Sequence, residues 1–76
     1  MDRTEYLRMC QQVSMFTDTH RQIPSEMCVK YADNVFLPHG YEMTFKKGKT
    51  QHRAILKDLK ANAIIYADLE RIEKNE

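Results

Sequence analysis

The middle of the chain reads Tyr41-Glu42-Met43-Thr44-Phe45-Lys46-Lys47-Gly48. Large apolar and polar residues alternate as far as Phe45, which is the pattern of a half-buried β-strand. The two lysines and Gly48 then suit a type I turn with Gly48 in the left-handed conformation, and residues 50–56 return as the partner strand. The sequence therefore predicts a β-hairpin here, and the flanking elements are assigned relative to it.

An amphipathic helix is predicted before this hairpin, within residues 1–19. Apolar residues recur at helical spacing between residues 2 and 16, at Tyr6, Met9, Cys10, Val13 and Phe16. Residues 17–20 are poor helix formers, and Pro24 disfavours helical geometry at the residue before it. Residues 20–26 are therefore predicted to be a linker.

Residues 27–73 are predicted to form an antiparallel β region around the hairpin. A strand over residues 27–31 comes first, followed by a turn at Asp33-Asn34 and a short run over residues 35–37. Pro38-His39-Gly40 is expected to break the chain before the hairpin begins.

Residues 54–62 are ambiguous, because most of them are good helix formers. A turn over residues 57–62 that leads into a strand over residues 63–67 is favoured, and a second helix near residues 53–61 is the alternative. Leu69 and Ile72 are expected to close the core, and residues 74–76 to form a polar tail.

The predicted fold class is α+β, with a single domain over residues 1–76. The N-terminal helix packs on a small, strongly bent antiparallel sheet. A small SH3-like or Sm-like barrel is the nearest common shape, because short strands gain from curling to limit exposed edges. An open sheet that carries the second helix is the alternative.

The sequence predicts a cytoplasmic protein with no membrane partner. No apolar run approaches the ~20 residues that span a bilayer, and the first residues lead into an amphipathic segment. The two cysteines, Cys10 and Cys28, match no zinc or redox spacing and are expected to be reduced and packed.

No residue pattern predicts catalysis, a metal or a cofactor. The two glycines, Gly40 and Gly48, are isolated, which excludes a phosphate-binding loop or a nucleophile elbow. His20, His39 and His52 have no Cys, Asp or Glu at zinc-ligand spacing. The chain is therefore predicted not to be an enzyme.

Basic residues concentrate in and after the hairpin. Residues 46–67 hold six basic residues and one acidic residue, a local charge of +5, whereas the formal charge of the whole chain is +1. Such a field attracts acidic partners, and the predicted partner-binding residues are Lys46, Lys47, Lys49, Arg53, Lys57, Lys60 and Tyr41. An acidic protein surface is the first expected partner and a nucleic acid the alternative. Lysines that only keep a turn and an edge strand soluble remain a third interpretation. The oligomeric state is left open.

Aromatic residues in the β region raise the question of a base-stacking platform. They are Tyr31, Phe36, Tyr41, Phe45 and Tyr66. In a domain of this size they are more often part of the core, and Tyr41, next to Gly40, is the residue to test first.

One part of the sequence resembles a known group of proteins. Its residues are Leu37-Pro38-His39-Gly40-Tyr41, Phe45, Gly48, His52-Arg53-Ala54-Ile55-Leu56-Lys57-Asp58-Leu59-Lys60-Ala61-Asn62, Tyr66 and Leu69-Glu70. They resemble small uncharacterised proteins that are encoded by prophages and mobile elements of Gram-positive bacteria. The resemblance covers residues 23–73 and implies a host cytoplasm and a function by binding, including binding that inhibits host or defence proteins. The predicted function is thus that of a small protein-binding module.

Overall fold

The computed structural model of the chain describes residues 1–18 and 23–75. In these residues, one α-helix packs on a five-stranded antiparallel sheet, which confirms the predicted α+β fold class. The helix is α1, Arg3–Asp18, and the strands are β1, Val29–Tyr31, β2, Asn34–Lys46, β3, Lys49–Asp58, β4, Ala63–Asp68, and β5, Glu73–Lys74. Short 3-10 helices, Ser25–Met27 and Leu69–Arg71, precede β1 and β5. The predicted helix end at Thr19 lies outside the described residues, as do positions 20–22 of the predicted linker.

The sheet is open and does not close into a barrel. The strand order β4-β3-β2-β1-β5 puts β4 and β5 at opposite ends, and no pairing joins them in the described part of the chain. Helix α1 covers one face of the sheet instead. The apolar side chains on that face are therefore buried although the sheet does not close. The expected SH3-like or Sm-like barrel is therefore wrong.

Helix α1 buries the apolar positions that its spacing predicts. Tyr6, Met9 and Val13 are all buried. Tyr6 and Met9 join the main core with Leu56 of β3, whereas Val13 packs in a second cluster with Leu37 of β2. The 3.6-residue repeat of the helix thus places one row of side chains against the sheet.

Strand β2 continues through the segment that the sequence assigns to a chain break. Pro38 pairs with Leu56 and Gly40 pairs with Ile55, so His39 is an extra residue in β2 and forms a β-bulge. A proline has no N–H to donate, and a bulge is where an interior strand tolerates it. The predicted break at residues 38–40 is wrong for this reason.

The hydroxyl of Tyr6 connects α1 to this bulge. It donates to the carbonyl oxygen of Gly40 at 2.7 Å, and the carbonyl oxygen of Ile55 lies at 3.1 Å as a second acceptor. Burial raises the pKa of the Tyr6 phenol, which therefore stays protonated as a donor. The helix is thereby held at the centre of the sheet.

Strand β3 removes the ambiguity over residues 53–61. Residues 53–57 pair with both β2 and β4, and these ladders outweigh helix propensities of less than ~1 kcal/mol per residue. The carboxylate of Asp58 then accepts the N–H groups of Lys60 at 3.0 Å and Ala61 at 3.3 Å. Asn62 completes the turn with a φ of 51°. The favoured strand–turn–strand prediction is confirmed, and the second helix is wrong.

The β1–β2 and β2–β3 hairpin turns have two residues each. Ala32 and Asp33 have φ values of 50° and 62°, and Lys47 and Gly48 have values of 52° and 76°. Positive φ at both central residues is the property of a type I′ turn, whose twist matches that of the strands. Gly48 is therefore left-handed as predicted, but the turn is not type I. The first turn begins one residue earlier than predicted, since Asn34 already belongs to β2.

The C-terminal residues of the core are held by the start of the chain. Leu69 and Ile72 are buried, as predicted. The nitrogen of Met1 donates to both of their carbonyl oxygens at 3.0 Å. The start of α1 and the 3-10 turn before β5 are therefore joined.

Residues after Ile72 continue the sheet instead of forming a polar tail. Lys74 of β5 pairs with Val29 of β1, and the N–H of Asn75 donates to the carbonyl of Cys28 at 3.2 Å. The predicted tail over residues 74–76 is wrong for residues 74 and 75, because β1 offers them a free edge. Glu76 lies outside the described residues.

The two glycines provide a matched test of the turn. We expect Gly48→Ala to lower the free energy of unfolding by about 1–2 kcal/mol, because an alanine at a φ of 76° is strained even in open space. Gly40→Ala should be tolerated, since its Cβ would meet Ile55 Cδ1 at 3.5 Å, an ordinary contact. Urea unfolding of both variants measures the difference, and equal stabilities would contradict the turn geometry.

Candidate functional site

Strands β2 and β3 extend beyond the rest of the sheet as a two-stranded hairpin. β1 pairs with β2 only up to Phe36, and β4 pairs with β3 only from Arg53 onward. Within the described chain, residues 43–52 thus form strand pairs only with one another, and we call them the arm. At ~3.3 Å per residue β2 spans roughly 40 Å, which matches the 42 Å long axis of a molecule only 23 and 22 Å across.

The arm exposes two large apolar side chains on one face. Met43 is 57% exposed and Phe45 is 74% exposed. Alternation along β2 puts both on the same face as Tyr41, which packs against the core. The core-facing side of the sheet therefore continues onto the arm, where no described element covers it.

The turn at the end of the arm carries three lysines. Lys46, Lys47 and Lys49 are all exposed, and together with Thr50 and Gln51 they line a shallow recess. They lie next to Phe45 in the chain, so positive charge and exposed apolar surface meet at the tip of the arm.

Tyr41 and His52 contact each other at the base of the arm. The Tyr41 hydroxyl forms a hydrogen bond with Nδ1 of His52, and the two rings stack with centroids 5.9 Å apart and planes at 22°. An isolated two-stranded hairpin is marginally stable, and this contact ties the arm to the core. Tyr41, predicted as a partner-binding residue, is thus half-buried at the base.

The other predicted basic residues are dispersed. The register places Arg53 opposite Glu42 of β2 and Asp68 of β4, and its guanidinium donates to Oε1 of Gln51 at 3.2 Å. Lys57 lies eight residues along β3 from Lys49, which is about 26 Å. Lys60 lies in the turn that follows β3. The structure therefore brings together the three lysines of the tip and separates them from the others.

The aromatic residues of the β region are divided between the core and the two faces of the sheet. Tyr31 and Phe36 pack in or against the core, with ring centroids 6.2 Å apart. Phe45 and Tyr66 are exposed, but Tyr66 pairs with Ile55, which lies on the opposite face of the sheet from Tyr41 and Phe45. The two exposed aromatic side chains therefore lie on opposite faces of the sheet.

The two thiols are free, as predicted, and neither is activated. Burial raises the pKa of both Cys10 and Cys28, which disfavours the reactive thiolate. Among residues 1–18 and 23–75, no group of three or more His, Cys, Asp or Glu side chains is arranged to hold a metal ion. His20 lies outside these residues. No described helix is both long and apolar enough to cross a bilayer.

Met43 was not among the predicted binding residues, and Phe45 was considered only for base stacking. Their alternation with polar residues predicts a half-buried strand, and alternation alone does not say whether another element covers the apolar side. Comparison with protein-family models, curated proteins and solved structures finds no match. Function is therefore inferred from the arm and the remaining surface.

Proposed function

We propose that this chain is a small non-enzymatic protein-binding module that uses the arm to contact an acidic protein surface. One observation carries the proposal: Met43 and Phe45 are exposed beside three lysines on a hairpin that projects from the core. Aromatic residues and methionine are enriched at protein interfaces. Each part of the arm then has a separate role.

Phe45 is the anchor of the proposed contact. It is the more exposed of the two apolar side chains, and burying a phenylalanine contributes about 1.5–3 kcal/mol. Met43 lies two residues away on the same face, and its flexible side chain adapts to irregular surfaces. The partner is therefore expected to offer an apolar recess wide enough for a phenyl ring.

The tip lysines favour a partner whose apolar recess is surrounded by negative charge. Positive groups at the rim of an interface speed association with an acidic partner and reject a basic one. They also discourage strand pairing along the free edges of the arm. The resemblance to prophage-encoded proteins adds the proposal that the partner is a host or defence protein that binding inhibits.

The nucleic-acid alternative has less support. It rested on the charge of +5 over residues 46–67 and on the aromatic residues near it, in a chain expected to form a small barrel. The described sheet is open, and its two exposed aromatic residues, Phe45 and Tyr66, are on opposite faces. Nuclease treatment in the experiment below decides between the two partners.

Matched charge reversals test the role of the tip. We expect Lys46→Glu/Lys47→Glu to weaken binding to a partner captured from a bacterial lysate, mainly by slowing association. Lys57→Glu/Lys60→Glu reverses the same number of charges at the other end of β3 and should leave binding nearly unchanged. Association rates at low and high salt measure both effects. Capture that nuclease abolishes would favour the nucleic acid, and equal losses in the two variants would contradict a role of the tip.

Phe45→Ala tests the anchor separately. An interface hot spot contributes at least ~2 kcal/mol, so we expect binding about 30-fold weaker, mainly through faster dissociation. The fold should persist, since Phe45 is already exposed. Leu59→Ala, which removes another exposed apolar side chain outside the arm, is the control. Unchanged affinity for Phe45→Ala would place the binding surface elsewhere.

A further inference from the structure

Strand β4 is an edge of the sheet that lacks the usual protection against pairing. In the described residues it pairs with β3 alone, so the backbone N–H and C=O groups on its other side have no strand partner. Native edges are protected by charges, prolines, bulges or short length. The opposite edge, β5, has two residues, and both are charged. β4 has none of these devices in its first five residues, Ala63-Ile64-Ile65-Tyr66-Ala67.

We infer that β4 pairs in antiparallel orientation with β4 of a second copy of this chain. A two-fold axis at Ile65 places that residue opposite itself, Ile64 opposite Tyr66 of the second copy, and Ala63 opposite Ala67. The segment is close to symmetric about Ile65, as a two-fold interface requires of its own surface. The five strands of each copy then form one continuous sheet.

The exposed side chains of β4 fit this pairing. Ile64 is 45% exposed and Tyr66 is 56% exposed, and both lie on the face of the sheet that also carries Ile55 and Lys57. In the dimer, Tyr66 lies between Ile55 of its own chain and Ile64 of the second copy. Cross-strand pairs of aromatic and β-branched residues contribute roughly 0.2–1 kcal/mol each, and the symmetry forms this pair twice.

The polar residues that flank the apolar part of β4, Asn62 and Asp68, favour the same register. A shift of two residues in one direction would place Ile64 opposite Asp68, and a shift in the other direction would place Tyr66 opposite Asn62. The axis at Ile65 therefore keeps apolar residues opposite apolar residues.

The dimer leaves the arms free, because β4 pairs with the part of β3 that begins at Arg53. Self-association thus uses a surface separate from the proposed partner-binding surface, and the dimer would present two arms to a partner. One short strand edge buries less than the ~1,200 Å² of a standard interface, so the dimer is expected to dissociate on dilution.

A charge exchange within β4 tests both the dimer and its register. Sedimentation over a range of concentrations should show a monomer–dimer equilibrium for the unaltered chain. Ile64→Lys/Tyr66→Lys places lysine opposite lysine and should raise the dissociation constant at least about tenfold. Ile64→Glu/Tyr66→Lys places glutamate opposite lysine and should restore dimerisation. In either shifted register this second variant places like charges opposite each other, so only the axis at Ile65 allows the recovery.

Circular dichroism of both variants checks that the fold persists, as expected from the exposure of the two side chains. Hydrogen exchange of the unaltered chain gives an independent readout, since amides of residues 63–67 should become better protected as concentration rises. A chain that stays monomeric at all concentrations would overturn the inference. So would a dimer that the lysine variant leaves intact, and failure of the glutamate–lysine variant to recover would overturn the register.

Discussion

Tyr6→Ala is expected to lower the free energy of unfolding by about 3–5 kcal/mol, which is the range for removing a large aromatic side chain from a core. Tyr6 is completely buried and is the largest of the fully buried side chains. Its ring packs in the main core, and its hydroxyl reaches the carbonyl oxygens of Gly40 and Ile55 at the bulge. Urea unfolding monitored by circular dichroism measures the loss.

Tyr6→Phe measures the contribution of the hydroxyl to stability apart from that of the ring. It keeps the packing but leaves buried carbonyl oxygens without their donor, so we expect a loss of about 1–3 kcal/mol. The free energy of unfolding should therefore be highest for the unaltered chain, lower for Tyr6→Phe and lowest for Tyr6→Ala. A phenylalanine variant as stable as the original would show that the contact between α1 and the bulge contributes nothing.

The same hydroxyl predicts a change in the response to alkaline pH. Burial raises the pKa of the Tyr6 phenol above its ordinary value of about 10. The folded chain then keeps a proton that the unfolded chain releases, so this contribution is complete below pH ~10 and is lost as the pH rises further. Tyr6→Phe should therefore reduce the dependence of stability on pH above 10.

Leu56→Ala is the second substitution with a large expected effect. Leu56 is fully buried on β3 between β2 and β4, and we expect a loss of about 2–5 kcal/mol from lost burial and the cavity left behind. Leu59→Ala makes the same chemical change at a residue that is 59% exposed in the turn after β3. It should change stability by less than about 0.5 kcal/mol. The midpoints of urea unfolding give the comparison.

The outcome for this pair bears on the second-helix alternative. Leu56 and Leu59 are three residues apart and would share one face of a helix over residues 53–61. In the strand-and-turn structure they have opposite environments. Similar losses for the two variants would contradict the strand, whereas a large difference is expected from the structure.

Local patterns account for much of the fold. The spacing of Tyr6, Met9 and Val13 is sufficient to predict the buried face of α1, because a helix repeats every 3.6 residues whatever surrounds it. Gly48 predicts a left-handed turn residue because most other residues are strained there. Such features are properties of short segments, and the sequence therefore predicts them directly.

Other features depend on contacts between distant segments. Proline and glycine at residues 38–40 locally favour a break, but the ladder to β3 and the hydroxyl of Tyr6 accommodate a bulge there. Lys74 and Asn75 are polar residues typical of a tail, yet the free edge of β1 orders them. In each case a partner far away in the chain decides between two conformations that are locally acceptable.

The candidate site shows the same division. The sequence by itself determined that Met43 and Phe45 share one face of a strand and that three lysines lie in or next to the turn, since alternation and chain order are local. Only the tertiary structure decided that β1 and β4 do not extend along the sheet as far as Phe45, which is therefore left exposed. It also decided that Lys57 and Lys60 lie far from the tip. Periodicity specifies the direction of a side chain, whereas its burial and its charged neighbours depend on which other segments fold against it.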